Sequence, residues 1–170
     1  TVLAKMTGQG GEVDWPSIEF YHGTAGAVAP AILRDGLKPR GAGRAVYGAA
    51  VSAVEGRRDA VYLTTQLGTA HFAAREAANT LGGVPTILVI RGLSGRNMAP
   101  DMDSQEATAE GSLQRLGSVA HVGTISPRFI RAHSQYVDRE WVEGARGGKR
   151  RHAPARRRKP VARTRRRTSR

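Results

Sequence analysis

Three separated parts of the chain carry side chains that could act together on one small molecule. The first has His22 followed by Gly23, the second has Tyr62, and the third has Glu106 and Glu110. An imidazole can hydrogen-bond a sugar hydroxyl and fix the sugar in place, and a glycine lets a ligand approach the backbone closely. An aromatic ring can stack on a cationic ring, and a carboxylate can stabilise positive charge that develops in a transition state. Together, side chains of these kinds could hold a sugar and a flat ring and could stabilise a developing positive charge.

The elements that must position these residues are a mixture of strands and helices. Alternating or continuous apolar runs predict strands, and apolar residues at helical spacing predict helices. Thr69 is a candidate N-cap for the longer helix. The predicted strands cover residues 17–22, 60–64, 86–90, 118–125 and 130–137, the predicted helices cover 28–34 and 69–81, and a short helix is possible within 98–116. This order predicts an α+β domain with a mixed, mainly antiparallel sheet and two or three helices.

Several of these segments resemble the ADP-ribosyltransferase fold of the His-Tyr-Glu type, the group that includes diphtheria toxin and poly-ADP-ribose polymerases. The order of the motifs, rather than any one of them, carries the resemblance to small bacterial or phage members. The matching segments are Phe20-Tyr21-His22-Gly23-Thr24, the helix end with Gly36-Leu37, Val61-Tyr62-Leu63-Thr64, Ala70-His71-Phe72-Ala73, and the stretch 118–130. The resemblance implies a split sheet and NAD as the substrate, with no metal.

The resemblance also implies a role for each matching residue. His22 is expected to contact a ribose of NAD, and Gly23 is expected to meet the carboxamide through its backbone, with Thr24 in the same binding segment. Tyr62 is expected to stack on the nicotinamide ring. Without the surrounding pattern, His22 would be read as a packing histidine at a strand end and Tyr62 as a half-buried strand aromatic.

The third member of the triad is a choice between two glutamates. The family's Glu lies at or just before a late strand, and both Glu106 and Glu110 precede the predicted strand that begins at Ser118. Glu110 is the favoured catalytic residue because Glu-Gly-Ser-Leu, a few residues ahead of that strand, fits the pattern of small members best. Glu106 remains the alternative.

The charges of the chain fall into two parts. The sequence has 27 Lys and Arg against 14 Asp and Glu, and the segment 145–170 holds 13 of the basic residues and none of the acidic ones. Residues 1–144, predicted to be the ADP-ribosyltransferase-like domain, therefore carry 14 charges of each sign. A block of like charges with few apolar residues is typical of a disordered segment that binds a polyanion.

The guanidinium groups of this tail suit phosphate oxygens, which favours DNA or RNA as its partner. No apolar periodicity accompanies the charges, so a membrane-surface helix is not expected. The residues predicted to contact nucleic acid are Arg150, Arg151, Arg156, Arg157, Arg158, Lys159, Arg165, Arg166 and Arg167.

Composition narrows the setting. The chain has no cysteine, which removes disulfides and thiolate metal ligands. No apolar run approaches the length of about 18 residues that marks a membrane span. A cytoplasmic protein, associated with a nucleoid or a virion through its tail, is the expected setting.

Other polar residues have weaker patterns. Tyr47 could form a second aromatic over the NAD site. Asp101 and Asp103 could suggest a divalent cation, but two carboxylates without further oxygen ligands are more typical of a solvated turn. Three further histidines show no metal-ligand spacing, namely His71, His121 and His133.

Three functions remain open. The first is an NAD-dependent mono-ADP-ribosyltransferase whose target is nucleic acid or a protein near it. The second is an RNA 2′-phosphotransferase, a related fold that relies on His and several arginines. The third is a non-catalytic, virion-associated nucleic-acid-binding protein on the same fold. The arginines available to the second function are Arg40, Arg44, Arg57 and Arg58.

Overall fold

A computed structural model describes residues 13–39, 57–137 and 140–144 of the chain. The basic tail, with every residue predicted to bind nucleic acid, lies outside this part. Arg40, Arg44 and Tyr47 also lie outside it, so their predicted roles stay predictions.

The described residues form seven strands and three α-helices, which confirms the predicted α+β class. Four short 3-10 helices connect them, at Trp15–Ser17, Gly95–Asn97, Met102–Ser104 and Pro127–Phe129. The strands are β1 (Phe20–Ala25), β2 (Ala60–Thr64), β3 (Pro85–Ile90), β4 (Met98–Pro100), β5 (Ser118–Val122), β6 (Ile130–Val137) and β7 (Glu140–Gly144), and the helices are α1 (Ala29–Asp35), α2 (Leu67–Leu81) and α3 (Ala109–Leu116).

The strands form one sheet in the order β4-β5-β2-β1-β3-β6-β7, and neighbouring strands pair antiparallel. The mainly antiparallel sheet predicted from the sequence is therefore confirmed. Consecutive strands are often not neighbours in space, because β2 lies between β1 and β5 while β3 lies on the other side of β1.

The pairing along the sheet is uneven at β1. Six residue pairs, from Phe20↔Ile90 to Ala25↔Pro85, join β1 to β3. A single pair, Tyr21↔Thr64, joins β1 to β2. In the described residues the sheet is thus continuous in order but nearly divided between β1 and β2.

The main core lies on one face of this sheet. Alternate strand residues point to opposite faces, and Phe20, Leu63 and Val119 belong to the same buried cluster. Helix α3 contributes Ala109 and Leu113 to that cluster. Residues on both sides of the weakly paired seam therefore contribute to one apolar core.

Helix α2 covers the opposite face through small residues. Its buried positions are Ala70, Ala74, Ala77 and Ala78. The methyl side chains let the helix axis lie close to β1 and β3, where Ile87 packs against Ala70 and Ala74. The spacing of these alanines is the amphipathic pattern expected of a helix that buries one stripe.

Several boundaries differ from the sequence predictions, among them those of β1, β5 and α2, and two short strands, β4 and β7, were not predicted. Helix α2 begins at Leu67 with Gln66 as its N-cap residue, rather than at Thr69. The Thr64 hydroxyl accepts from the Gln66 N–H at 3.0 Å, which turns the chain two residues earlier than predicted. Strand β7 was not predicted, because its residues Glu140 and Glu143 give it the composition of a polar connection.

Candidate functional site

The His22 ring links β1 to β2 at the point where the two strands separate. Its Nδ1 atom lies 2.9 Å from the main-chain oxygen of Tyr62. A carbonyl oxygen only accepts hydrogen bonds, so Nδ1 donates and carries the proton. In the neutral imidazole, Nε2 is then an acceptor, the state needed to hold a sugar hydroxyl.

Tyr62 lies half-buried on β2, with its ring against small residues. It packs on the cluster formed by Ala60, Ala99 and Ala120. The Arg57 main-chain N–H donates to the Tyr62 hydroxyl at 2.7 Å. Burial raises the pKa of the phenol above its ordinary value, so Tyr62 is a neutral aromatic surface at physiological pH.

The strand register decides where these two side chains point. Residues that face each other in a ladder point to the same side of the sheet. Since Tyr21 faces Thr64, Tyr62 points to the side of Tyr21, and His22 points to the other side. The strands therefore bring the backbones of His22 and Tyr62 together, and the His22 ring reaches the Tyr62 main chain, while the two rings leave the sheet on different faces.

Gly23 and Thr24 are held by packing. A Cβ atom on Gly23 would overlap the main chain of helix α2 at Ala70 O and Ala74 N. The Thr24 side chain is buried and lies opposite Thr86 on β3. Close packing against α2 thus explains why residue 23 has no side chain. Because the Thr24 side chain is buried, Thr24 could contact a ligand only through its main chain.

Glu110 lies in the first turn of helix α3, behind the N-cap Thr108. Its neighbours Ala109 and Leu113 are buried in the main core, on the His22 side of the sheet. Glu110 is half-buried and forms neither a hydrogen bond nor an ion pair within the described part of the chain. Glu106 forms an ion pair with Arg115 at 3.2 Å.

The carboxylates that act electrostatically on Tyr62 are Asp101 and Asp103. Both charges raise the pKa of the Tyr62 phenol, after the larger effect of burial. Burial raises the pKa of Asp101 itself, while the Asp103 N–H that its carboxylate accepts opposes the shift. Asp101 is thus half-buried, whereas Asp103 is exposed. The prediction of a solvated turn fits Asp103 but not Asp101.

Sequence reasoning placed Asp101 in a solvated turn because its burial comes from distant pairing. It directly follows β4, which pairs with β5, and its main-chain N–H donates to the Ser112 hydroxyl of helix α3 at 2.9 Å. The only available signal was the short apolar run Met98-Ala99-Pro100 ahead of it.

The end of helix α3 is tied to the turn that follows Tyr62. The Gly117 main-chain oxygen accepts from the Thr65 N–H at 2.7 Å. The hydroxyls of Thr65 and Thr64 also reach this oxygen, at 3.1 and 3.3 Å. These bonds connect the strand that carries Tyr62 to the helix that carries Glu110.

Two further polar candidates have side-chain partners of their own. Arg57 pairs with Asp59 at 2.9 Å in an exposed position. His121 is buried, with Nδ1 3.3 Å from the Gly123 oxygen. Among the described residues, no three side chains of the metal-binding types come together.

A groove lies at another place on the sheet. It has a volume of about 660 Å³ and is lined by Pro16, Glu19, Val89, Arg91, Gly92, Arg131 and Glu143. Its side chains carry both signs of charge, and neither His22 nor Tyr62 lines it. It is therefore distinct from the weakly paired seam between β1 and β2.

The comparisons with known proteins do not assign the chain to a family. No protein-family model matches it, and no curated protein is similar enough in sequence to count as a match. Among solved structures it is similar to EcPltA, with 17% identity, a TM-score of 0.46, and coverage of 75% of this chain and 82% of that one. This is a distant structural relationship. None of the described helices has the length and apolar character needed to cross a bilayer.

Proposed function

We propose that the domain is an NAD-dependent mono-ADP-ribosyltransferase that acts on or near nucleic acid. The observation that supports this most is the bond from His22 Nδ1 to the Tyr62 main-chain oxygen. It places two residues of the resembling motif, 40 positions apart in the chain, at the one seam of the sheet where the strands separate. Because the two rings leave the sheet on different faces, a dinucleotide that contacts both would have to lie across this seam.

The proposed reaction breaks the bond between ribose C1′ and the nicotinamide nitrogen. The bonding electrons leave with nicotinamide, and a nucleophile on the target attacks C1′ and gives up its proton. Tyr62 would present an aromatic face to the leaving ring, and His22 Nε2 would accept from a ribose hydroxyl and fix the sugar. The Gly23 backbone would hold the carboxamide.

The carboxylate that stabilises the positively charged ribose has three candidates. Glu110 remains the first, because it is half-buried near the start of α3 and has no competing partner in the described residues. Glu106 is already engaged by Arg115. Asp101 is the third candidate, because its charge acts on Tyr62 and raises the pKa of the phenol.

The tail at 145–170 would hold the enzyme on its target. Because the rest of the chain has equal numbers of acidic and basic residues, binding to a polyanion should come from the tail. Affinity for DNA or RNA should fall steeply with salt concentration, and deletion of residues 146–170 should abolish it. A shortened protein that binds as tightly as the full chain would contradict this part of the proposal.

Labelled NAD tests the catalytic part. With label on the adenylate, the full chain should transfer label to protein or nucleic acid, or at least hydrolyse NAD. His22→Asn keeps a donor near the Nδ1 position but lacks Nε2, so it should fold normally and lose about 100-fold in rate. Equal activity of His22→Asn and the unaltered protein would exclude the proposed role of Nε2.

The three carboxylates are separated by matched amide variants. Glu110→Gln, Glu106→Gln and Asp101→Asn each remove one charge and keep nearly the same shape. We expect Glu110→Gln to abolish transfer, while the other two retain it. Activity lost in Asp101→Asn alone would move the catalytic role to Asp101, and full activity in all three would exclude the mechanism.

One observation favours a second candidate, an RNA 2′-phosphotransferase. Neither Glu106 nor Glu110 forms a described hydrogen bond to Tyr62, whereas Arg57 lies beside it, with its main-chain N–H on the Tyr62 hydroxyl and its guanidinium paired with Asp59. That chemistry uses His and arginines in place of the glutamate. It predicts that NAD is consumed only when an RNA with an internal 2′-phosphate is supplied, and that Arg57→Gln and Arg58→Gln lower the rate.

A further inference from the structure

A group of aromatic side chains lies where helix α2 meets strands β6 and β7, apart from the seam between β1 and β2. The rings of His71 and Trp141 are nearly parallel, with centroids 4.4 Å apart and an angle of 8° between their planes. Tyr136 lies 5.3 Å from Trp141 in a tilted arrangement. The Arg75 guanidinium lies 5.4 Å from the centre of the Tyr136 ring. We call these four residues the aromatic cluster.

The electrostatics of the cluster suit a flat, electron-rich partner. Burial lowers the pKa of His71, and the neighbouring Arg75 lowers it further. His71 is therefore a neutral ring near pH 7, and Arg75 supplies the positive charge. Each of the three rings is partly exposed.

The cluster stands where the basic tail leaves the domain. Trp141 belongs to β7, and this strand ends at Gly144. The 13 basic residues of the tail begin two positions later, at Arg146. Arg146 comes five positions after Trp141, so a nucleic acid bound at the start of the tail would lie within about 18 Å of Trp141.

We infer that the aromatic cluster is a stacking site for the bases of single-stranded nucleic acid, with Trp141 as its central residue. The inference rests on the proposed nucleic-acid binding of the tail. It assigns the phosphates to the tail and the bases to the cluster, the division of roles common among single-strand-binding surfaces. Glu19 and Glu143 line the neighbouring groove together with its two arginines, so that groove offers phosphates no net positive charge.

Substitution of Trp141 in the full chain tests the stacking role. Trp141→Leu should lower affinity for a single-stranded oligonucleotide by about tenfold, and Trp141→Phe should retain most of it. Binding to an abasic strand of the same length should be equal for all three proteins. The slope of log affinity against log salt should also be unchanged, because no phosphate contact is lost.

Tryptophan fluorescence provides a measurement that needs no destabilising variant. The chain has two tryptophans, and Trp15 is buried in the main core. A single strand should quench the emission of the unaltered protein, an abasic strand should quench it far less, and Trp141→Phe should remove the difference. Duplex DNA, whose bases are already stacked, should bind through the tail with little quenching.

The outcomes separate this inference from the proposal it rests on. If no polyanion binds the full chain, the nucleic-acid role of the tail is wrong, and the stacking site loses its basis. If oligonucleotides bind but Trp141→Leu binds them and the abasic strand equally well, the tail proposal stands and the stacking site is wrong. Quenching by the abasic strand as strong as that by the base-bearing strand would also overturn it.

Discussion

The two sides of strand β1 are built differently. Toward β3 the strand forms six ladder pairs, with Leu88 and Ile90 fully buried beside it. Toward β2 it forms one pair and the side-chain bond from His22 to the Tyr62 oxygen. A fully paired seam is saturated with backbone hydrogen bonds and apolar contacts, so it contributes stability. A sparsely paired seam leaves polar groups available, which is where a ligand can be held.

The largest effect on stability is expected on the fully paired side. Leu88→Ala should lower the free energy of unfolding by about 3 kcal/mol, because it leaves a cavity in a closed core. Urea unfolding followed by circular dichroism measures this. Leu67→Ala is the matched control, since Leu67 is 46% exposed on α2. A loss below that of the control would mean that the seam is not closely packed.

Gly23→Ala should be nearly as damaging, at about 2 kcal/mol, because the new methyl group meets helix backbone that cannot move aside. Gly68→Ala is the control within α2 itself, where a Cβ atom has open space. It should stabilise the protein by about 0.5 kcal/mol through its higher helix propensity. Thermal unfolding of the two variants should shift in opposite directions.

On the sparsely paired side, the His22 bond should matter less to stability than to activity. His22→Ala should cost about 1 kcal/mol, the usual value of one hydrogen bond. His22→Asn, which keeps a donor toward the Tyr62 oxygen, should recover most of that loss in stability while still losing about 100-fold in rate with NAD. If both variants lose the same stability, the bond across the seam is not made in solution.

The smallest effect concerns pH. Because burial raises the pKa of Asp101, the folded state binds its proton more tightly than the unfolded state does. That contribution to stability is fully present below about 3.8, the ordinary value, and is lost as the pH rises through the raised pKa. Asp101→Asn should therefore be more stable than the unaltered protein at pH 7, by a few tenths of a kcal/mol.

The difference between the two proteins should shrink on acidification and vanish below the ordinary pKa of an aspartate. Asp103→Asn is the control, because Asp103 is exposed. Urea unfolding at pH 7 and at pH 3 compares all three. A constant difference across this range would show that the Asn side chain acts through packing and not through charge.

Local patterns predicted five of the seven described strands, but they did not predict the contacts between strands. Strand β2 was predicted with its observed bounds, since Ala60 to Thr64 is a compact apolar run between turn residues. The bond between His22 and Tyr62 could not be predicted, because it depends on which strands become neighbours. The burial of Asp101 depends in the same way on the pairing of β4 with β5.

The candidate site shows the same division. The sequence pointed to His22 and Tyr62, and the structure joins them across one seam. Sequence reasoning did not predict that strand alternation turns the two rings to different faces of the sheet. It also did not predict that Glu110 lies in a helix whose Ala109 and Leu113 pack in the main core. It also missed Trp141, because the polar residues around it hid a strand and its stacking partner His71 is far away in the chain.

The contact at Gly23 has a mechanical consequence. Where backbone lies directly on backbone, no rotamer change can absorb a displacement, so α2 and β1 must move as one body at this point. His22 directly precedes Gly23 on β1. On helix α2, Phe72 is 51% exposed and lies on the outer surface. A displacement of α2 toward the sheet would therefore also move the β1 main chain that carries His22, although the helix supplies none of the side chains proposed for the reaction.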